Sequence, residues 1–128
     1  MQKDLIFAID LGGTSTKMAI LQLDGTVKHQ WQIPTDTREN GKHIVENIGR
    51  SFTEKLLELK MDKSQFVGAG IGAPGPAHEG KILNAVNLGW GVYPLQDKLN
   101  EVLGISAFIS NDANCAALGE MWMGSGRG

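Results

Sequence analysis

A mixed α/β sheet with helices packed on its faces is the fold class predicted by these 128 residues. Three observations predict it. The first third of the chain holds three short apolar or alternating stretches separated by glycine turns, the pattern of a strand meander. From about Lys42 the apolar period lengthens to that of a helix. Strand-like and helix-like stretches then alternate to the end, giving the order β-β-β-α-β-α-β-α and a five-stranded sheet.

Leu5-Ile6-Phe7-Ala8-Ile9 is an apolar run ending at Asp10 and reads as a buried strand. Gly12-Gly13 permits a tight reversal into a second strand over 16–21. Asp24-Gly25 is a hairpin signal, 26–33 the third strand, and Pro34 with the polar stretch 35–40 ends the meander. Ile44, Val45, Ile48, Phe52, Leu56 and Leu59 then fall at helical intervals on one face of a helix that ends near Met61. The fourth strand, 66–71, runs into Ala73-Pro74-Gly75-Pro76, and 81–88 is weakly patterned with room for a short strand. Pro94 suits a first helical turn, Leu95, Leu99, Val102 and Leu103 form a buried face, and Gly104 is a C-terminal stop. The fifth strand, 105–110, ends in Asn111-Asp112, where Asp112 is placed to cap a last helix over 113–123 that Gly124 closes. No linker or repeat divides the chain, so 1–128 reads as one domain whose Gly-Ser-Gly-Arg-Gly tail is a loop leading onward.

Twelve Lys and Arg against fourteen Asp and Glu leave a net charge of −2, with 41% of residues hydrophobic and 20% charged. That balance belongs to a globular domain and not to a disordered segment. No basic excess is present to bind nucleic-acid phosphates or an anionic membrane. The apolar run from Leu5 to Ile9 falls far short of the roughly 20 residues that span a bilayer, and no cleavage-like segment follows it. One cysteine, Cys115, makes neither an internal disulfide nor, alone, a thiolate metal site. The expectation is a cytoplasmic domain without membrane or nucleic-acid partners. Glycine is the outlier, at 17 of 128 residues, nearly twice the usual share of roughly 7%. Its clusters serve ordinary turns or bring backbone close to a ligand, and composition leaves both open.

Chemistry has three places to sit. In Asp10-Leu11-Gly12-Gly13-Thr14 a carboxylate ends a strand, glycines expose backbone N–H groups, and Thr14 adds a hydroxyl. These are parts of a phosphate cradle, although Gly-Gly after a strand is more commonly a plain hairpin. Neither the Walker nor the Rossmann glycine pattern is present. Lys17 could reach a phosphate or stand solvated on its strand. In the second place, Gly72-Ala73-Pro74-Gly75-Pro76, two prolines stiffen a turn and glycine leaves its backbone open, with exposed His78 and Glu79 just beyond. In the third, Ser110-Asn111-Asp112-Ala113-Asn114 delivers an amide and a carboxylate to a helix start. Asn suits sugar hydroxyls, while Asp112 is either a simple N-cap or a base kept ionised by the helix N-terminus. The first, fourth and fifth strands each end in one of these places, and ligands of open α/β sheets bind outside the carboxyl ends of strands. Asp10 and Asp112 can therefore face one crevice.

Together the stretches D-L-G-G-T (Asp10 to Thr14), G-I-G-A-P-G-P (Gly70 to Pro76), N-L-G-W (Asn87 to Trp90) and N-D-A-N-C-A-A-L-G-E (Asn111 to Glu120) resemble the ROK family of repressors and sugar kinases, and within it bacterial glucokinases. The resemblance implies the N-terminal lobe of an actin-like, ribonuclease H-like ATPase fold that closes with a second lobe around sugar and ATP. It implies Asp112 as general base for the sugar hydroxyl, Asn111 as a sugar ligand, Gly75 as a backbone contact and Asn87 as a weaker sugar contact. Asp10, Gly12, Gly13 and Thr14, with Lys17, would meet the ATP phosphates and Mg²⁺, Asp10 being the metal-side carboxylate. A second phosphate loop, further sugar ligands, a structural zinc site and a dimer interface belong to the other lobe, so these 128 residues alone are expected to be inactive. Ser110, where relatives often carry an acid, and Ala77-His78-Glu79, where a Val-Asp-like pair is common, depart from the family pattern near sugar specificity. Glucose is the expected hexose from N-L-G-W with L-G-E, with fructose and N-acetylmannosamine as alternatives. A sugar-sensing ROK transcriptional regulator is the reading from another class. It would need a helix-turn-helix segment ahead of the first strand and suits the negative charge poorly.

Overall fold

The structure, a computed structural model, describes residues 3–72 and 77–110. Its elements are β1 (Leu5–Leu11), β2 (Ser15–Gln22), β3 (Val27–Pro34), a single turn α1 (Arg38–Gly41), α2 (Ile44–Leu59), β4 (Phe66–Gly72), β5 (Ala77–His78), β6 (Lys81–Ile82), α3 (Leu95–Leu103) and β7 (Ala107–Ser110). Five strands form one sheet in the order β3-β2-β1-β4-β7, and β5 and β6 form a separate small hairpin. β1, β2 and β3 pair antiparallel as a meander, whereas β4 and β7 run parallel to β1. The mixed sheet expected from the sequence is therefore present. Each parallel strand is reached through a helical crossover, as parallel pairing demands.

Alternation along β1 decides which face is the core. Leu5, Phe7, Ile9 and Leu11 join Met18 and Ile20 of β2 and Ala69 and Ile71 of β4 in one buried cluster with the apolar stripes of α2 and α3. Phe52 of α2 anchors it, stacked on Phe7 at 4.2 Å and edge-on to Phe66 at 5.2 Å. Gly49 lets the two helices approach, since a Cβ there would lie 2.7 Å from the Cβ of Val102. The alternate residues Ile6, Ala8, Ala19 and Leu21 form a second, smaller buried cluster on the other face.

Differences from the sequence reading lie at element ends and in loops. α2 covers 44–59 within the expected 42–61, and left-handed Lys60 (φ 57°) closes it. β7 begins at Ala107 instead of 105: the Ser106 carbonyl accepts from the Ala69 N–H at 2.8 Å, and the Ala107 amide, turned to the other side, donates to the side chain of Asn100 at 2.7 Å. The weakly patterned stretch 81–88 resolves into β6 and a 3₁₀ turn over Val86–Leu88. Ahead of α2, the polar stretch holds three consecutive left-handed residues, Glu39 (φ 53°), Asn40 (φ 59°) and Gly41 (φ 70°). The expected helix over 113–123, its Asp112 cap and the Pro-Gly-Pro turn lie outside the described residues.

Candidate functional site

Three parallel strands end in one row. Asp10 of β1 is paired with Gly72 of β4, and Gly72 with Ser110 of β7. At the usual strand spacing, Asp10 and Ser110 are about 10 Å apart along this edge. The row holds the last or next-to-last residue of each strand, so the three sequence motifs all depart from one margin of the sheet. Gly75, Asn111 and Asp112 lie outside the described residues, one to three positions beyond that row.

Asp10 stands half-buried, with Lys17 directly opposite it across the β1–β2 ladder. Burial pushes its carboxyl above the ordinary aspartate value, and the Lys17 ammonium pulls it partly back. Lys17 itself is exposed. The turn that follows is tight: Gly12 donates its N–H to the Ser15 carbonyl at 3.1 Å, and a Cβ on Gly12 would come within 2.8 Å of that oxygen. Only glycine fits there. Thr14 is exposed at the tip, its carbonyl accepting the Thr35 N–H at 2.9 Å, while the Thr35 hydroxyl donates to the Gly12 carbonyl at 2.8 Å.

Asn87, far along the chain from Gly13, closes on this turn. A Cβ on Gly13 would sit 3.4 Å from the Asn87 Cβ, so the two segments touch. Asn87 is the exposed tip of the Val86–Leu88 turn, and Trp90 is its anchor. The Trp90 indole is 4% exposed, stacks on Tyr93 at 4.0 Å and donates to the Gly41 carbonyl at 3.2 Å. N-L-G-W thus ties the sheet-edge loop to the left-handed turn before α2. His78 and Glu79 are exposed neighbours 3.6 Å apart.

Sequence reasoning missed Thr16, Thr35 and Gly41. Thr16 left a signal, being a polar residue at an inward-facing position between Leu11 and Met18, where a buried hydroxyl requires a partner. A groove of about 580 Å³ opens beside Thr35, lined by Asp36, Arg38, Asn47, Arg50 and Glu54. Asp36, Arg38 and Arg50 of this lining are held in ion pairs. Arg38 grips Asp36 through two 2.9 Å bonds and holds that carboxyl down at about 2, and Arg50 pairs with Glu46 at 3.2 Å.

Among the described residues no three His, Cys, Asp or Glu side chains cluster to hold a metal. Asp10 offers a single carboxylate, which suits Mg²⁺ only where substrate phosphates and water complete its shell. Among the same residues, no helix is long and apolar enough to cross a membrane.

The model of the ROK family matches residues 6–128. A glucokinase of Halalkalibacterium halodurans is 43% identical over 122 residues, covering 94% of this chain and 37% of that protein. A glucokinase of Thermotoga maritima is 36% identical over 132 residues, covering all of this chain and 40% of that protein. A xylose repressor of Caldicellulosiruptor bescii is 35% identical over 121 residues, covering 93% and 30%. Among solved structures, the ROK family glucokinase of Streptomyces griseus in complex with glucose and AMPPNP superposes with a TM-score of 0.73 at 29% identity, covering 97% of this chain and 38% of that one. The chain spans about two-fifths of the length of the curated glucokinases it matches.

Proposed function

The chain belongs to the ROK family, and from that membership we propose that it is the N-terminal lobe of an ATP-dependent hexose kinase with glucose as substrate. The observation that carries the reading is the row Asp10, Gly72, Ser110, from which the glycine turn, the Pro-Gly-Pro turn and the Asn-Asp pair all depart. The matched glucokinases and the glucose and AMPPNP bound to the Streptomyces griseus protein support the substrate pair.

In this reading the ATP phosphates lie on the Gly12-Gly13-Thr14 turn, where backbone N–H groups and a hydroxyl meet negative oxygen without a bulky side chain between them. Mg²⁺, when bound, neutralises charge on the phosphate oxygens. Asp10 is the residue that would hold it, and Lys17 opposite adds a cation to the same margin. The hexose lies toward Asn111, with the Gly75 backbone and the Asn87 amide as further contacts. Asp112 accepts the proton of the attacking sugar hydroxyl, whose oxygen bonds to the γ-phosphorus as the bond to the ADP oxygen breaks. Phosphoryl transfer leaves little covalent work to the protein beyond holding the two oxygens in line and taking that proton. The setting is cytoplasmic, where ATP and free hexose are found together.

The test is sugar-dependent ADP release by the complete two-lobed protein, with glucose, fructose and N-acetylmannosamine in parallel. Glucose should give the highest kcat/KM. No turnover with any of the three, together with sugar-dependent binding to a DNA duplex, would replace the kinase by a regulator.

A further inference from the structure

The glycine turn is held in place from outside by one residue that no motif contains. Thr35, the first residue past β3, donates twice: its N–H to the Thr14 carbonyl at 2.9 Å and its hydroxyl to the Gly12 carbonyl at 2.8 Å. The Thr16 hydroxyl lies 2.8 Å from that of Thr35. A hydroxyl has one proton. Thr35 commits its proton to Gly12, so Thr16 is the donor in the pair, and a relay runs from Thr16 to Thr35 to the Gly12 carbonyl. Thr16 is 1% exposed at the end of an otherwise apolar column with Met18 and Ile20. Valine would have the same shape at that place without a polar atom to desolvate, so the buried hydroxyl is accounted for by the bond it donates.

The consequence follows from peptide planarity. In a trans peptide the carbonyl and the next residue's N–H point in opposite directions. Tying the Gly12 carbonyl toward Thr35 therefore turns the Gly13 N–H away from Thr35 and β3. Gly13 is also where the turn needs an open backbone, with Asn87 as its neighbour. The geometry points to Thr35 as a positioning residue for nucleotide phosphate: it sets the orientation of the Gly13 N–H before ATP arrives, and Thr16 orients Thr35. A donor fixed in advance costs no reorganisation when the anion binds. This inference rests on the reading of the glycine turn as the ATP phosphate site.

Thr35→Val removes the hydroxyl, keeps the N–H and nearly keeps the shape, while Thr35→Ser keeps both donors. In the complete protein, calorimetry with Mg²⁺ and AMPPNP, KM for ATP and for glucose, and thermal melting separate the cases. Thr35→Val should weaken AMPPNP and raise KM for ATP by about tenfold, the scale of one preset donor to an anion. KM for glucose should stay within about twofold, and Thr35→Ser should restore the nucleotide values. Thr16→Val, which leaves Thr35 itself intact, should shift AMPPNP affinity in the same direction by a smaller factor, and it carries the test if Thr35→Val does not fold. AMPPNP affinity within twofold of wild type in the valine variants overturns the inference. So does an equal rise in both KM values, or a Thr35→Ser protein no better than valine. A wild-type protein that binds no AMPPNP overturns the phosphate-site reading and this inference with it; wild-type binding with an indifferent Thr35→Val overturns this inference alone.

Discussion

Gly25 and Gly41 both sit at positive φ, at 90° and 70°, yet alanine should affect them very differently. Around Gly25 no atom lies within 4 Å of the space a Cβ would occupy, so Gly25→Ala bears only the left-handed backbone penalty of about 1–2 kcal/mol. At Gly41 a Cβ would be driven into the Leu88 carbonyl and come within 2.7 Å of the Trp90 indole nitrogen. Gly41→Ala must break the Trp90 bond as well as strain the backbone, a loss of roughly 3 kcal/mol or more. Urea denaturation of both variants checks the ranking, and equal losses would mean that the clamp between Gly41 and N-L-G-W contributes nothing. The two aspartates are separated by chemistry instead of sterics. Asp10→Ala should cut ATP-dependent turnover by about 10²-fold or more while leaving glucose affinity, read by calorimetry without nucleotide, near wild type. Loss of glucose affinity with an unchanged response to ATP and Mg²⁺ would exchange the sides assigned to Asp10 and Asp112. For Asp112, asparagine caps a helix about as well as aspartate but cannot accept the proton. A pure cap predicts near-normal turnover for Asp112→Asn, whereas a general base predicts a loss of about 10²–10⁴-fold with melting close to wild type. Turnover within about threefold of wild type would leave Asp112 as a cap only.

At the scale of elements, the start of α2 carries a pH dependence that can be signed. His43 precedes the helix with its Nε2 2.8 Å from Glu39 and its Nδ1 3.5 Å from Glu46, and Asp36 lies near enough to feel its charge. The bond to Glu39, then the one to Glu46, holds its imidazolium above the usual value of 6.5. A raised folded-state pKa gives stabilisation that is complete below 6.5 and is lost as pH rises through the folded value. His43→Gln should therefore lower the melting temperature at about pH 6 and leave it unchanged near pH 8, the difference remaining small because the pair is exposed. Asp36 runs the other way. Held at about 2 by Arg38, it contributes above its unfolded value of 3.8, and that contribution disappears as pH falls from there toward 2. These elements also mark how far the sequence could be read. Strands β1 to β4, the helix stripes and the Gly104 stop (φ 72°) were visible because their signals are local, a period of two or 3.6 with glycine at the end. The left-handed turn at 39–41 and the Thr35 clasp were not, because each is fixed by a partner far along the chain: Trp90 is 49 residues from Gly41, and Thr35 is 23 from Gly12. The site was legible in the same proportion. Asp10 and the glycine turn could be named from spacing, whereas the contact of Asn87 with Gly13 exists only once the fold has closed.

At the scale of the molecule, the question is what 128 residues can do by themselves. A chain of this length buries about two-thirds of its unfolded surface, enough for a cooperative core. That core is here: Phe7, Phe52 and Phe66 interlock with the stripes of α2 and α3 under a five-stranded sheet. Removing its centre should be costly, so Phe52→Ala is expected to lose about 3–5 kcal/mol. Catalysis sets a different requirement. The glycine turn and the row Asp10, Gly72, Ser110 occupy one margin of the sheet, and in the proposed reaction a second lobe must close over that margin to exclude water and hold the nucleotide from the opposite side. With one wall of the cleft, ATP would be open to solvent and the two reacting oxygens would not be held in line. The isolated 128 residues should therefore melt in a single cooperative transition, and should release no ADP above a protein-free control with glucose and ATP at millimolar concentrations. Joined to the second lobe, the same residues should turn over. Glucose-dependent ADP release by the isolated chain would show that one lobe suffices and that the proposed closure is unnecessary. A non-cooperative melt would show instead that the core needs the second lobe to form at all.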